Sequence, residues 1–561
     1  MKTWYAKENG VPVSRGEDCT EALQKMVDSM ADGDELILEK GNYLLKGGVF
    51  FRNRKGIKIK GYGATIVSYF DPCKKDGDHK TPLEFFNSSD ISIQGLTFDT
   101  SSYTGFMGRI AAINMEESYF DIRLENDVPY VGNEWIEGLD SCDENLTPNF
   151  HIGWAHFGHP HRHRKIGPNL MRILVWPSLL KHLEKASIGE IICVRYSLYA
   201  PGSMSFKACS DFLIEDITIN ACPGVSCVIH PRSANFTFRR FNIRLKHGTK
   251  QIIASNTDGI HITGMTGYLN IFDCHFDNMG DDALNMHCTC GGVFGFDGKS
   301  VIDSGLAKAN YQPGDEKLRD LTPDFAVADD ILYFYDSKTL SKKAEATVVE
   351  YTQNRFVIKD IKGKFDLGDT IVNSAFYPKL HIKDCSVSGS RARGMLIKTH
   401  HVMIEDCYFY GTSGAALCAA CGVGEWSEMG PVQDMTIQNC VFEECGIHCD
   451  RSQAAGIVIG AGPGSWRREY VEDTGVFGDI RLLNNRFINF RDPAIFAAAT
   501  KGLLIKGNEM INCFGEPREG MGKEDEMYTY NTVIMDCADV VYENNRHVRN
   551  EKDIIQVNIN S

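Results

Sequence analysis

An eight-residue strand pattern that recurs along most of the chain limits the folds open to this sequence. It reads apolar, any, apolar, then two residues of any kind, then Cys, Asn or an apolar residue, any, and apolar, and each copy below is quoted with the residue before it. Examples are "DFLIEDITI" from Asp211, "NFTFRRFNI" from Asn235, "KLHIKDCSV" from Lys379, "HVMIEDCYF" from His401, "DIRLLNNRF" from Asp479 and "GLLIKGNEM" from Gly502. Copies without an insertion between them lie 22 to 24 residues apart. A fixed period of this length indicates stacked supersecondary units.

The residue types within each repeat indicate which stacked unit it is. Alternation with period two predicts strands with one buried face, and Gly, Asn and Asp between the halves predict turns. Leucine-rich repeats are the rival architecture, but their consensus leucines and helical half are missing from the pattern. The sequence therefore predicts an all-β, right-handed parallel β-helix with one coil per repeat.

The first residues and two long interruptions divide the chain into five predicted parts. "TEALQKMVDSM" places Leu23, Met26, Val27 and Met30 on one face of a helix that would cap the open end, with "DELILEKGNYLL" as the first strand. Both interruptions alternate like antiparallel strands, so each is predicted to be a small inserted β-barrel or sandwich. The parts are cap and first coils 1–103, first insert 104–206, central coils 207–289, second insert 290–377 and C-terminal coils 378–561.

Composition narrows the partners and the compartment. The formal net charge is −15 without a block of like charges, which argues against nucleic acid as a partner. The sequence contains no apolar run of about 18 residues, so it predicts no membrane-spanning helix. The chain shows no signal-peptide core and has 19 cysteines, an odd number without a disulfide-scaffold spacing. We therefore expect reduced thiols and a cytoplasmic protein, or a secreted one whose signal has been removed.

Three aspartates are the candidate catalytic residues. Asp258 precedes Asp281 and Asp282 by 23 and 24 residues, which is one coil of the predicted helix. Asp258 should therefore lie directly beneath the pair, and Gly280 permits a bend that turns both members into one groove. Three crowded carboxylates repel one another, so one should keep its proton near neutral pH. A protonated carboxyl beside ionised ones is suited to general acid and general base catalysis.

The motifs around these aspartates resemble two families of glycoside hydrolases. "NTDG" followed by "GDD" resembles the family 28 polygalacturonases, whereas "GDDALNMH" together with "WSEMG" is closer to the family 110 α-1,3-galactosidases. The Gly-His-Gly element of polygalacturonases is absent after Asp282, and their Arg-x-Lys pair is only loosely matched by Arg393 and Lys398. The two inserted subdomains also resemble family 110. The resemblance covers roughly residues 1–550.

The resemblance implies a function and a role for each site residue. It implies an inverting exo-α-1,3-galactosidase, without cofactor or metal, acting on blood-group-B-type or linear α-galactosyl glycans. Asp281 would be the general acid, and Asp258 and Asp282 would hold the attacking water. Trp426 could stack on the galactose ring, and Glu425 and Glu428 could accept hydrogen bonds from its hydroxyls. The complete set of substrate-binding candidates is Asn256, Asn285, His287, Arg393, Glu425, Trp426 and Glu428.

Two other functions stay open at the level of the sequence. One is a polygalacturonase-like hydrolase or a lyase acting on uronate polymers, and the other is a carbohydrate-binding β-helix without catalysis. The expected partner is in each case a glycan, with neither nucleic acid nor a membrane involved, and we expect a homodimer formed through the inserts. Within the repeat, Cys274, Cys385, Cys407 and Cys440 occupy one slot and predict an inward-facing ladder, which Asn485, Asn508 and Asn545 continue.

Overall fold

The computed structural model describes most of the chain. The described residues are 1–125, 129–144, 147–154, 162–176, 184–249, 251–306, 320–421, 423, 426–447, 455–460, 475–513, 529–549 and 552–557. They contain one α-helix, α1 (Thr20–Ser29), two short 3-10 helices (Asp76–Asp78 and Ser374–Phe376) and 48 strands, numbered here along the chain. No helix in this part of the chain has the length and hydropathy needed to cross a membrane.

Two long parallel sheets form the body of the molecule. Sheet A consists of β1 (Thr3–Tyr5), β2 (Ser14–Asp18), β3 (Glu35–Ile37), β4 (Gly41–Leu45), β6 (Lys58–Ser68), β8 (Ser89–Thr100), β17 (Ser210–Ile219), β19 (Ala234–Ile243), β21 (Thr266–Phe272), β22 (His275–Asp277), β30 (Lys379–Lys383), β31 (Ser386–Ser388), β33 (His400–Glu405), β34 (Tyr408–Tyr410), β37 (Gln433–Gln438), β38 (Val441–Glu443), β40 (Phe477–Leu483), β41 (Arg486–Ile488), β43 (Thr500–Lys506), β44 (Glu509–Ile511), β46 (Ala538–Glu543) and β47 (Arg546–Val548).

Sheet B lies on the other side of each coil. It consists of β5 (Val49–Arg52), β7 (Leu83–Phe86), β16 (Met204–Lys207), β18 (Cys227–Ile229), β20 (Ile260–Thr263), β23 (Leu284–Thr289), β32 (Met395–Ile397), β35 (Leu417–Ala419), β39 (Ile457–Ile459), β42 (Ile495–Ala498), β45 (Thr532–Met535) and β48 (Ile554–Val557), with β36 (Glu428–Met429) joined antiparallel to β23. The apolar residues of both sheets face each other in one continuous core.

The register of sheet A confirms the predicted coil. Phe212 pairs with Phe236, and Ile480 pairs with Leu503, each one repeat further along the chain. The repeat position that the sequence predicts to form an inward ladder does form one. Cys440 N–H donates to Asn485 Oδ1 at 2.9 Å, and Asn485 N–H donates to Asn508 Oδ1 at 2.9 Å. Sulfur and amide side chains thus fill the same turn on successive coils. The predicted parallel β-helix is confirmed.

The capping helix is present, although the strand order at the N-terminus differs from the prediction. Leu23, Met26 and Val27 of α1 are buried, so the predicted face packs inwards. The segment "DELILEKGNYLL" is not the first strand, because it forms β3 and β4 after β1 and β2 have already entered sheet A. The sequence pattern does not predict these two strands, because both are short and β2 has no alternation of apolar and polar residues.

Both interruptions fold as antiparallel units with cores of their own. The first is a seven-stranded sheet of β9 (Gly105–Asn114), β10 (Tyr119–Leu124), β11 (Gly138–Cys142), β12 (Pro148–Trp154), β13 (His163–Gly167), β14 (Leu170–Leu174) and β15 (Ile191–Arg195). The second is a closed barrel of β24 (Gly291–Phe296), β25 (Val301–Leu306), β26 (Ile331–Tyr335), β27 (Lys342–Thr352), β28 (Arg355–Gly363) and β29 (Thr370–Asn373). Sheet B resumes at β16, slightly ahead of the boundary expected at residue 207.

Candidate active site

The three aspartates lie in the turns that connect sheet A to sheet B on two successive coils. Ile260, Leu284 and Met395 pair in register across β20, β23 and β32. The residues two positions before them therefore form one column, which contains Asp258, Asp282 and Arg393. The expectation that Asp258 lies beneath both members of the pair is thus only half right, because Asp281 is displaced by one residue from this column.

Gly280 is required for close packing rather than for an unusual backbone angle. A Cβ atom at this position would lie 2.3 Å from the carbonyl oxygen of Asn256 on the preceding coil. Gly280 N–H also donates to Ser255 O at 2.8 Å, which links the two turns directly. Any side chain here would push the two coils apart and separate Asp258 from the aspartate pair.

Asp282 is buried and fully engaged by an arginine. Its Oδ1 accepts hydrogen bonds from Arg393 N at 3.0 Å and Arg393 Nε at 2.8 Å, and its Oδ2 accepts from Arg393 Nη2 at 2.6 Å. Burial raises the pKa of Asp282 to about 7, although the guanidinium of Arg393 opposes this shift. A carboxylate with a pKa close to neutrality is well suited to act as a general base.

Asp258 is held by donors on two sides. Its Oδ2 lies 2.6 Å from His261 Nδ1, and its Oδ1 accepts from Asp282 N at 3.1 Å. Burial disfavours the imidazolium form of His261, but the hydrogen bond and charge of Asp258 outweigh burial, so the pKa of His261 is raised. Asp258 and His261 thus form a hydrogen-bonded pair in which the imidazole orients the carboxylate.

Asp281 differs from its two neighbours. Its carboxyl group accepts no hydrogen bond from the residues that the structure describes, whereas its backbone carbonyl accepts from Ser390 Oγ at 2.7 Å. Burial and the nearby charge of Asp258 raise the pKa of Asp281, against the pull of Arg391 and Arg393. Among the three aspartates, this is the one that geometry and charge equip to carry a transferable proton.

A cavity of about 380 Å³ opens onto these groups. Asp258 and Asp281 line it, whereas Asp282 lies behind them. Two half-exposed aromatic residues, Tyr199 and Trp426, also line the cavity. Ligand pockets range over roughly 300–1,000 Å³, so this one suits a small group such as a terminal sugar rather than a polymer.

A second set of polar side chains continues from His261 away from the aspartates. His287 Nε2 lies 3.3 Å from His261 Nε2 and 3.6 Å from an oxygen of Glu428. Glu428 Oε2 accepts from Lys398 Nζ at 2.6 Å, and that ion pair holds the pKa of Glu428 well below its usual range despite burial. Burial lowers the pKa of His287 to about 4, so His287 is neutral at pH 7.

Comparison with known proteins finds relatives that are similar to this chain along most of its length. The chain is 23% identical over 526 residues to α-1,3-galactosidase B of Akkermansia muciniphila. This alignment covers 88% of this chain and 60% of that protein. It is 25% identical over 485 residues to α-1,3-galactosidase A of Bacteroides fragilis, which covers 83% of this chain and 75% of the relative. The chain is a homologue of the α-1,3-galactosidases. The predicted resemblance to α-1,3-galactosidases is confirmed.

Two further comparisons concern the fold and the family models. A family 28 exopolygalacturonase of Yersinia enterocolitica superposes with a TM-score of 0.50 at 10% identity, covering 99% of this chain and 77% of that structure. This similarity supports the β-helix fold alone. No family model matches the chain.

The structure brings most of the predicted binding residues to the cavity. Asn285, Arg393, Trp426 and Glu428 line it, and the buried Oδ1 of Asn285 has no partner in the described part of the chain. Glu425 lies outside the described residues. That these side chains bind sugar stays a prediction.

Two other predicted binding residues lie behind the cavity surface. Asn256 donates from Nδ2 to Thr104 O at 3.1 Å and to Ser197 O at 2.9 Å, so it anchors the turn. His287 is buried and contacts His261 and Glu428. Neither side chain lines the cavity, and a direct role for either in sugar binding is not favoured by this geometry.

Several residues at the site were not anticipated from the sequence. His261 follows Asp258 by three residues in "DGIH", and this spacing was the one available signal. Arg195, Tyr199 and Arg391 also line the cavity. Arg195 is the last residue of β15 in the first insert, and Tyr199 follows that strand. The repeat pattern does not describe the insert, so the position of these two residues at the site could not be derived from coil spacing.

We expect the site to work without a metal ion. One oxygen from each aspartate lies within 4.8 Å of the others, a spacing that a cation would fit. However, Arg391 and Arg393 already supply positive charge to the aspartates, and Arg393 donates a hydrogen bond to each oxygen of Asp282. Dialysis against a chelator should leave kcat and KM unchanged. Loss of activity that calcium or zinc restores would contradict this expectation.

Proposed function

We propose that the chain is an inverting exo-α-1,3-galactosidase that hydrolyses terminal α-1,3-linked galactose from blood-group-B-type or linear glycans. The observation that carries this proposal is the unequal environment of three carboxylates around one small cavity. Asp281 borders the cavity and its carboxyl group accepts no hydrogen bond from the described residues, whereas Asp258 is hydrogen-bonded to His261 and Asp282 is held by Arg393. Pairs of carboxyl groups with such different environments divide into an acid and a base.

In this proposal Asp281 protonates the leaving oxygen. Its carboxyl group borders the cavity and has no described hydrogen-bond partner that would have to be displaced. Burial and the charge of Asp258 raise its pKa and so favour the protonated form relative to an ordinary aspartate. The proton moves to the glycosidic oxygen as the bond between that oxygen and the anomeric carbon breaks.

Asp258 and Asp282 hold and activate the water. They are stacked in one column on adjacent coils, and their oxygens lie within 4.8 Å of each other. His261 and Arg393 use only some of the lone pairs of these carboxylates, so each can accept a further hydrogen bond. One carboxylate takes the proton of the water as the oxygen attacks the anomeric carbon, and the other keeps the water in place.

The polar and aromatic walls of the cavity are suited to a single terminal sugar. Trp426 and Tyr199 offer flat apolar faces, on which the C–H face of a galactose ring stacks. Asn285 Oδ1 is a buried acceptor without a described partner, and it can accept from a sugar hydroxyl. Glu428 stays ionised beside Lys398 and offers a second acceptor. Hydroxyl recognition by such groups explains an exo mode of action on neutral sugars.

The arrangement argues against uronate polymers as substrates. Arg393 and Lys398, which loosely match the uronate-binding pair of polygalacturonases, are engaged by Asp282 and Glu428. Binding a carboxylated sugar through either residue would require breaking a buried ion pair, which is costly. A neutral sugar needs no such exchange, and this favours galactose over galacturonate.

A small substrate panel tests the proposal. We expect galactose release from α-galactosyl-1,3-galactose and from a nitrophenyl α-galactoside, and no release of sugar from polygalacturonate. Asp273→Asn, which alters an exposed turn residue on the same coil, serves as the matched control and should retain full activity. Release of galacturonate would support the polygalacturonase-like alternative, and glycan binding without hydrolysis would support a carbohydrate-binding module.

A further inference from the structure

A buried ion cluster joins the first insert to the catalytic turn. Asp140 on β11 is fully buried and accepts from Arg391 Nε, while its other oxygen lies 2.7 Å from Arg195 Nε. The side chains of Arg195 and Arg391 are 1% and 7% exposed. The aspartate and Arg195 come from the insert, and Arg391 comes from the coil that follows the second insert. Three distant segments of the chain therefore meet at one carboxylate.

The two guanidinium groups hold the backbone that carries Asp281. Arg195 Nη1 donates to Asn256 O at 2.5 Å and to Gly280 O at 3.3 Å. Arg391 Nη1 reaches the same Gly280 carbonyl at 3.4 Å, and Arg391 N–H donates to Met279 O at 2.9 Å. The carbonyl immediately before Asp281 is thus fixed by two cations, and Asp140 in turn fixes both of them.

The cluster also controls the charge around the proposed acid. Two arginines and one aspartate leave an excess of one positive charge within the cluster. Among the described residues, the other charged or titratable groups close to Asp281 are Asp258, Asp282, Arg393 and Tyr199. Asp140 is the carboxylate that offsets the cluster cations without bordering the cavity.

We propose that Asp140 is a positioning residue through which the first insert sets both the orientation and the protonation of Asp281. This inference rests on the proposed function, since it takes Asp281 to be the general acid. Asp140 acts by neutralising and orienting Arg195 and Arg391, and it touches neither the substrate nor the reacting atoms. The insert is accordingly a part of the catalytic apparatus.

The sign of the effect follows from the charges. Removing the negative charge of Asp140 takes away the anion beside Arg195 and Arg391, so their positive charge acts more strongly on Asp281, favours its ionised form and lowers its pKa. Because a general acid must be protonated, activity would then be lost at a lower pH than in the wild type. Removing the charge of Arg195 has the opposite effect, so the alkaline limb would move to higher pH. A purely structural role predicts no such pair of opposite shifts.

The experiment measures kcat against pH on α-galactosyl-1,3-galactose for wild type, Asp140→Asn and Arg195→Met. We expect the alkaline limb to move down by about one pH unit in Asp140→Asn and up in Arg195→Met. Asp121→Asn is the matched control, because Asp121 pairs with Arg172 within the same insert at 2.7 Å but lies away from the catalytic turn. Its pH profile should coincide with that of the wild type.

The outcomes separate this inference from the proposed function. Wild type that releases no galactose at any pH contradicts the proposed function itself. The wild type could show a bell-shaped pH profile while the alkaline limb of Asp140→Asn stays where it is in the wild type. That outcome contradicts only the role of Asp140. If Asp140→Asn does not fold, as judged by circular dichroism, Arg195→Met carries the test, and a limb that stays in place or moves downwards overturns the inference.

Discussion

Asp281→Asn is expected to lower kcat on α-galactosyl-1,3-galactose by at least about 10²-fold, the usual contribution of a well-placed general acid. The amide has the shape of the carboxyl group but carries no transferable proton. The variant should fold like the wild type, because the Asp281 side chain accepts no hydrogen bond from the described residues that the change would disrupt. Steady-state kinetics and thermal unfolding measure the two effects separately.

The choice of leaving group identifies which aspartate is the acid. A nitrophenolate leaves without protonation, so Asp281→Asn should lose much less activity on a nitrophenyl α-galactoside than on the natural linkage. Asp258→Asn and Asp282→Asn should lose at least about 10²-fold on both substrates, since each needs an activated water. The control Asp273→Asn should match the wild type on both. Equal losses for Asp281→Asn on the two substrates would show that it is not the acid.

The pH profile provides a further check on the same variant. In the wild type, activity should fall as pH rises through the raised pKa of Asp281, because the acid then loses its proton. In Asp281→Asn, the residual activity on the nitrophenyl substrate should show no such alkaline limb. A limb that persists unchanged would assign the acid to another group.

The strand repeat predicted much of this structure for a clear physical reason. A parallel coil fixes which residues stack, so a spacing of 23 to 24 residues was sufficient to place Asp258 next to the aspartate pair. The inward slot of Cys440 and Asn485 followed from the same rule. What coil spacing does not determine is the conformation of the turn itself, and for this reason the different environments of Asp281 and Asp282 were not predicted.

Contacts that cross between segments could not be predicted from the repeat. Asp140 and Arg391 are 251 residues apart in the chain and meet only because the first insert folds against the turn. Glu428 reaches the site because β36 pairs antiparallel with β23, against the parallel order of the sheets. Such contacts depend on tertiary docking, for which a single sequence contains no periodic signal.

The last prediction concerns the stereochemistry, for which two observations point in different directions. Retaining glycosidases place their carboxyl groups about 5–5.5 Å apart, and inverting ones about 6.5–9.5 Å apart. The closest oxygens of the trio lie within 4.8 Å of one another, which on its own resembles the retaining spacing. The decision therefore depends on whether either remaining carboxylate can act as a nucleophile.

Neither carboxylate is well placed to form a sugar ester. Asp282 is completely buried and does not line the cavity, so its carboxylate is not positioned to attack an anomeric carbon bound there. An ester at Asp282 would also leave the guanidinium of Arg393 buried without its counter-charge, which is strongly unfavourable. Asp258 borders the cavity, but both of its oxygens already accept hydrogen bonds, which reduces their nucleophilicity.

We therefore expect inversion, with β-galactose as the first product from an α-linked substrate. Two ionised carboxylates in one column are better suited to orienting a water than to forming a covalent intermediate. Proton NMR of the anomeric signal, recorded before mutarotation mixes the anomers, measures the outcome directly. The wild type should yield the β anomer first, and slow mutarotation should then produce the α anomer. An α anomer that appears first would show that Asp258 or Asp282 forms a glycosyl ester, and would overturn the water-holding role of this column.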